Sequence, residues 1–121
     1  MTKILIAEDE RDIRELVTFT LEHNGYAVVS SADGHTALEL AARESPDLAL
    51  LDVRMPRLDG YEVCRRIKAD PELKHIPVVF LSAKGQEAEV QAGLEAGAQA
   101  YIIKPFSMKE LITQIEQVLT A

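Results

Sequence analysis

Cysteine, basic charge and long apolar runs are all scarce in this chain, and each scarcity excludes something. With a single cysteine, Cys64, no intramolecular disulfide and no zinc cluster built on several thiolates can form. Thirteen Lys and Arg against twenty Asp and Glu leave a formal net charge of −7. The basic excess with which proteins grip nucleic acid or an anionic membrane is therefore missing. No apolar stretch approaches the roughly 20 residues that span a bilayer, and Met1-Thr2-Lys3 run into a strand-like segment without a signal-peptide pattern. A protein of the reducing cytoplasm, bound to neither membrane nor nucleic acid, is expected. Repeats, low-complexity tracts and linkers are absent too. At 121 residues the chain can bury roughly two-thirds of its unfolded-chain surface and is too short for two ordinary domains, so a single domain over residues 1–121 is expected.

What the chain does have is a steady alternation of short apolar runs and amphipathic stretches. The runs are Ile4-Leu5-Ile6-Ala7, Tyr26-Ala27-Val28-Val29, Leu48-Ala49-Leu50-Leu51, residues 76–81 and Tyr101-Ile102-Ile103. Apolar runs without alternation suit strands covered on both faces, whereas the second is short and leads into Ser30-Ser31, as an edge strand does. Helical stripes lie between them: Ile13, Leu16, Val17 and Leu21; Ala37, Leu38, Leu40 and Ala41; Val63, Cys64 and Ile67 after Asp59-Gly60; and Met108, Leu111, Ile112, Ile115, Val118 and Leu119. Segment 86–96 is the weakest helix, because alanine supplies most of its apolar face and Gly93 interrupts it at about 1 kcal/mol relative to alanine. It belongs at the mobile end of the stability range, where a switch could move. Five strands alternating with five helices predict an α/β fold, a doubly wound parallel sheet with helices on both faces.

In such a sheet the C-terminal strand ends share one edge, where open α/β folds form their ligand crevice. Four runs end in reactive residues: Glu8-Asp9, Asp52, Ser82 and Lys104. Two carboxylates within ~4 Å repel by about 4 kcal/mol at an effective dielectric of 20, so three in one pocket require a cation. Mg²⁺ (or Mn²⁺) suits them, being hard and taking carboxylate, water and phosphate oxygens together. A purely structural alternative exists for each residue: Asp9 as a helix cap, Asp52 and Ser82 as turn residues, Lys104 as a rim lysine. Their coincidence at strand ends favours a site. Acids, an ammonium and a hydroxyl suit phosphoryl transfer, whose transition state spreads charge over equatorial oxygens and needs in-line positioning and cations. Asp52 would then be the nucleophile, forming an aspartyl phosphate.

Taken in order, Ile4-Leu5-Ile6-Ala7-Glu8-Asp9-Glu10, Leu51-Asp52-Val53-Arg54-Met55-Pro56-Arg57-Leu58-Asp59-Gly60, Leu81-Ser82-Ala83, Gly97-Ala98 and Tyr101-Ile102-Ile103-Lys104-Pro105-Phe106 closely resemble the receiver domain of bacterial two-component response regulators, the CheY-like family. The resemblance covers essentially the whole chain. It implies a flavodoxin-like (βα)5 fold with strand order 2-1-3-4-5. It also implies that Asp52 accepts a phosphoryl group from a sensor histidine kinase or a histidine phosphotransfer protein. Asp9, Asp52 and the backbone carbonyl of Arg54 would ligate Mg²⁺, with Glu8 acting largely through water. Lys104, Ser82 and the backbone N–H of Ala83 would hold the phosphoryl oxygens, and the Lys104-Pro105 bond would be cis. Ser82 and Tyr101 would form the switch: a phosphoryl group of about −1.5 to −2 charge draws Ser82 toward it and the Tyr101 ring turns inward. Segment 86–96 would repack in response, controlling a downstream protein or effector domain. Such a domain is not an enzyme beyond its own stoichiometric phosphorylation and autodephosphorylation.

The chain departs from the family pattern in two places. Arg54 and Lys84, each two residues past a site residue, occupy positions that in the family tune the access of water to the aspartyl phosphate. Gln99-Ala100 stand where many DNA-binding members carry paired acids, and the last helical stripe has Lys109 but no arginine. This does not support their style of dimerisation, so a monomer or weak homodimer is expected. Two other functions compete. A haloacid-dehalogenase-like, Mg²⁺-dependent phosphohydrolase would need a second aspartate two residues after the nucleophile as acid and base, where this chain has Arg54. A receiver-like scaffold would bind partners without phosphorylation. Flavin binding is disfavoured, since Glu8-Asp9-Glu10 would repel a phosphate. Cys64 reads as a buried helix residue, and His23, His35 and His75 have no metal-ligand spacing.

Overall fold

Strands and helices alternate without exception: β1 (Lys3–Ala7), α1 (Arg11–His23), β2 (Ala27–Ser31), α2 (Gly34–Glu44), β3 (Leu48–Asp52), α3 (Gly60–Ala69), β4 (Val78–Ser82), α4 (Glu87–Glu95), β5 (Ala100–Ile103) and α5 (Met108–Thr120). The structure is a computed structural model and describes residues 1–83 and 87–121. All strand pairings are parallel and the sheet order is β2-β1-β3-β4-β5, the doubly wound order that the family resemblance implied.

The continuous apolar runs have their explanation in the two faces of the sheet. Successive strand residues point to opposite sides, so Leu5, Ala49, Leu51, Val78 and Phe80 pack with Ala37, Ala41, Val63 and Ile67 of α2 and α3. Ile4, Ile6, Leu48, Leu50, Val79 and Leu81 pack with Val17 and Leu21 of α1 and Leu111 and Ile115 of α5. Each fully buried aliphatic chain contributes on the order of 2 kcal/mol. These two layers, more than helix propensity, hold the helices against the sheet.

Several boundaries differ from the sequence pattern. β2 runs on through Ser30 and Ser31 because Ala7 of β1 keeps pairing as far as Ser31. β4 begins at Val78 rather than Ile76, whose N–H is already taken by the carbonyl of Leu73. Leu16 is 52% exposed, so the stripe of α1 narrows to Val17 and Leu21 with half-buried Ile13. Gln99 secures the start of β4 from both sides, its Oε1 accepting the N–H of Val78 at 2.8 Å while its own N–H donates to the carbonyl of Val78 at 2.8 Å. Among the described residues no helix is long and apolar enough to cross a membrane.

Gly93 does not interrupt α4, which continues through it. A Cβ at this position would lie 2.8 Å from Cδ2 of Tyr101 and 3.0 Å from Cδ2 of Phe80, so the glycine lets the helix lie directly on two rings. Gly93→Ala therefore sets a propensity gain of about 1 kcal/mol against an overpacking cost of about 1–3 kcal/mol. We expect the cost to win and the urea midpoint to fall; a raised midpoint would show that propensity governs α4.

Candidate functional site

Strand register decides which side chains meet. Ala7 pairs with Leu51, Asp52 with Leu81 and Ser82 with Ile103, so Glu8, Asp52, Ser82, Ala83 and Lys104 all arrive at one edge. The N–H of Glu8 donates to the carbonyl of Ser31 at 3.1 Å and that of Lys104 to the carbonyl of Ser82 at 2.7 Å, which carries the pairing one residue past β1 and β5. By alternation Glu8 follows Ile4 and Ile6, Asp52 follows Leu48 and Leu50, and Lys104 follows Ile102, all on the face packed by α1 and α5. The site is the polar continuation of an apolar layer.

Glu8 is fully buried and Asp52 nearly so, while Asp9 is exposed. One carboxylate oxygen from each of the three lies within 4.8 Å of the others. Lys104 Nζ donates to Glu8 Oε1 at 2.9 Å and stands 3.6 Å from Asp52 Oδ2. Burial, followed by the carboxyl of Asp52, raises the pKa of Glu8 to about 7 against the pull of Lys104. Burial works against the charge of Lys104, but its bond to Glu8 and the charges of Asp52 and Glu8 prevail and hold its pKa above the ordinary lysine value. One ammonium thus offsets three acids incompletely. This cluster can hold a metal ion: its donors are hard oxygens, and it carries surplus negative charge.

Local structure supports each piece. The N-cap of α1 is Glu10, without a side-chain bond, so Asp9 is not spent on capping. Arg14 Nη1 donates to the carbonyl of Glu8 at 2.8 Å, and the N–H of Glu10 to Glu8 Oε2 at 3.2 Å, fixing the loop after β1. On the other side Asp59 caps α3 through the N–H of Glu62 at 2.9 Å, and the N–H of Gly60 donates to the carbonyl of Val53 at 2.9 Å. A Cβ on Gly60 would collide with the carbonyl of Asp52, which gives the Asp59-Gly60 motif its physical reason. Val53 and Met55 pack inward and Arg54 is exposed.

Asp9, Glu10, Asp52, Arg54, Ser82, Ala83 and Lys104 line a cleft of about 490 Å³. The structure therefore brings together every acid, hydroxyl and cation that the sequence singled out at the strand ends, with Glu8 buried beside them. Lys84 and Gln86 lie outside the described residues. Tyr101 is not at the cleft: its ring packs near Phe80 and its hydroxyl lies 3.3 Å from that of Tyr61. The Lys104-Pro105 bond is cis. Cys64 is buried, donating to the carbonyl of Ala96, and burial raises its pKa to about 11. Among the described residues no histidine joins the acid cluster. Arg14 and Tyr61 were not legible in advance, because each lies in a stretch that reads as ordinary helix surface.

The profile of the response regulator receiver domain matches residues 4–116. The chain belongs to the response regulator receiver family. The receiver is 45% identical over 117 residues to the probable transcriptional regulator ycf27 of Guillardia theta, covering 97% of this chain and 45% of that protein. A putative response regulator from Chloroflexus aurantiacus J-10-fl superposes with a TM-score of 0.95 at 34% identity, over 99% of this chain and 98% of that one. The receiver domain of the sensor histidine kinase PA1611 from Pseudomonas aeruginosa PAO1, solved with a magnesium ion coordinated in its active site cleft, gives 0.92 at 32% identity over 99% and 98%. The chain spans about half the length of the curated relatives it matches. Receivers of this family are phosphorylation-activated switches of two-component signalling.

Glu8 makes the stability of this receiver depend on pH. Its carboxyl titrates near 4.5 when unfolded and near 7 when folded, so across that window the folded state keeps a proton that the unfolded chain has lost. The contribution is fully present below the unfolded value and is lost as pH rises through the folded one. In the presence of a chelator, the wild type should lose on the order of 2 kcal/mol relative to Glu8→Gln between about pH 4.5 and 7.5, measured by urea unfolding. Parallel pH profiles for the two proteins would contradict the assignment.

Proposed function

We propose that residues 1–121 act as a single receiver domain in which Asp52 is the phosphoacceptor. The observation that carries this reading is the buried pair Glu8 and Asp52, bridged by one ammonium beneath an open cleft. In the reaction an Asp52 carboxylate oxygen forms the new O–P bond as the P–N bond to a donor phosphohistidine breaks. The imidazole leaves with that electron pair and takes up a proton. Glu8, Asp9, Asp52 and the backbone carbonyl of Arg54 would hold Mg²⁺ or Mn²⁺, with Glu8 reaching it through water. The bound cation supplies neutralisation of the charge on the phosphoryl oxygens. Lys104, Ser82 and the N–H of Ala83 take those oxygens in charge-assisted hydrogen bonds. The magnesium ion coordinated in the active site cleft of the Pseudomonas aeruginosa relative supports a metal ion at this acid cluster.

The domain turns over no substrate beyond its own aspartyl phosphate. Arg54, exposed at the cleft, cannot serve as the acid and base that a phosphohydrolase requires. Its partners are a sensor histidine kinase or a histidine phosphotransfer protein, and a downstream protein or effector domain. It works in the cytoplasm as a monomer or weak homodimer. Ser82 and Tyr101 are the switch residues.

Acetyl phosphate with Mg²⁺ should add one phosphoryl group to the wild type, seen by intact mass, and none to Asp52→Asn or in the absence of the metal ion. An adduct that persists in Asp52→Asn rejects the acceptor assignment. Continuous phosphate release from varied phosphoesters favours the phosphohydrolase, and no adduct at all favours the scaffold.

Arg54 at the cleft and Lys84, two residues after Ser82 in sequence, are expected to shield the aspartyl phosphate from water. Replacing both with alanine should speed dephosphorylation of the purified phosphoprotein; an unchanged rate means that both side chains are merely solvated.

A further inference from the structure

Away from the acids, three elements meet through side chains that the phosphoacceptor chemistry does not use. Tyr61, at the start of α3, is half-buried with its ring edge-on to Phe80 of β4, centroids 5.2 Å apart and planes at 72°. Tyr101 of β5 packs against the same ring at 5.9 Å and 53°. The two phenol oxygens are 3.3 Å apart. The Tyr61 hydroxyl also donates toward α4, 3.0 Å from the backbone oxygen of Glu89 and 3.2 Å from its Oε2.

Proton counting orders these contacts. Both Glu89 atoms are oxygen acceptors and a phenol has one proton. The Tyr61 proton therefore goes to Glu89, and Tyr101 donates to Tyr61. Burial, then the neighbouring phenol of Tyr101 and the carboxylate of Glu89, push the pKa of Tyr61 upward, so it stays a donor at neutral pH. Gly93, one turn along α4 from Glu89, leaves the room that the Tyr101 ring occupies. The chain Tyr101 to Tyr61 to Glu89 thus ties β5 to α3 and α3 to α4 around one seated ring.

We infer that Tyr61 is the anchor that sets the position of the Tyr101 ring, and that through Glu89 it couples that position to α4. The inference rests on the proposed function in one respect, that Tyr101 responds to events at Asp52. Phe80 pairs with Tyr101 and Ser82 with Ile103 in adjacent strands, so the ring lies one side-chain layer from the cleft. Linkage then requires that whatever stabilises the seated ring also stabilises the phosphorylated state, if that state favours it. Tyr61 is a positioning residue: it touches Tyr101 and Glu89 and lines no part of the cleft.

Tyr61→Phe keeps the ring on Phe80 and removes the bridge. The chain has three tyrosines, and Tyr26 packs in the other core layer, so ¹³C-ring-labelled tyrosine reports Tyr101 with Tyr26 as the internal reference. In Tyr61→Phe, without any phosphodonor, the Tyr101 signal should move toward the solvent-exposed position. Beryllofluoride with Mg²⁺, a stand-in for the phosphoryl group, should bind about fivefold more weakly, the effect of one net hydrogen bond. Tyr101→Phe should weaken it too, and the double variant by less than the sum of the two, since both remove the bond between the hydroxyls. A lowered urea midpoint with an unmoved Tyr101 signal would mean that Tyr61 only packs, which overturns the anchor. A moved signal with unchanged beryllofluoride affinity overturns the coupling. Loss of the functional reading looks different: Asp52→Asn would then bind beryllofluoride as the wild type does, while the ring signal still decides the anchor.

Discussion

Lys104 Nζ reaches Glu8 at 2.9 Å and Asp52 at 3.6 Å, and two carboxyl groups can be buried side by side at the end of this sheet because that ammonium is among them. Taking one partner from a buried charged group leaves an uncompensated charge, typically worth about 3–5 kcal/mol. The compensation depends on the sheet being all parallel, since an antiparallel neighbour would bring its opposite end to the edge. It depends equally on register, because a slip of one residue would turn Glu8 or Asp52 to the face packed by α2 and α3. The apolar layers are thus the frame that holds two carboxyl groups and an ammonium together, and Glu8, Asp52 and Lys104 extend one of those layers past the strand ends.

The charge balance there is incomplete, and the remainder has a physical use. Glu8 keeps its proton to about pH 7, so the cleft accommodates its acids partly by leaving one neutral. A divalent cation held by these oxygens would remove the need for that proton, and the ammonium of Lys104 already stands beside them. Preorganised groups of this kind favour charge that arrives over charge that is resident. The aromatic seat of Tyr101 lies in the opposite layer, beside Ser82's neighbour Phe80. The acid cluster and the Tyr101 ring are therefore separated by the thickness of the sheet and joined through β4.

Particular residues show how far the sequence could be read. Three unbroken apolar runs announced strands covered on both faces, and the helical stripes at Val17 and Leu21, at Val63 and Ile67, and at Leu111 and Ile115 announced what covers them. Glu8, Asp9, Asp52, Ser82 and Lys104 were legible as neighbours at one edge of the sheet because each ends a run. Leu16 was misleading, since apolar spacing on a helix does not reveal how wide the covered stripe is. Gly93 was legible only as a weakness; that it seats a ring depends on the approach of α4 to β5. Asp9 could be a cap or a site residue by local pattern alone, and only the fold shows that α1 takes Glu10 as its N-cap.

What the sequence by itself determined is what periodicity and residue order can carry: the number and kind of elements, the parallel sheet, the two covered faces and the identity of the residues at the strand ends. These are local properties, repeating every two or 3.6 residues. Only the tertiary structure decided the contacts that join distant parts of the chain: Lys104 with Glu8, 96 residues apart, Tyr61 with Tyr101, 40 residues apart, and Arg14 on the carbonyl of Glu8. The physical reason is that a hydrogen bond is decided within a few tenths of an ångström. That precision comes from strand register and the packing of helices on the sheet, neither of which is written at any single position of the sequence.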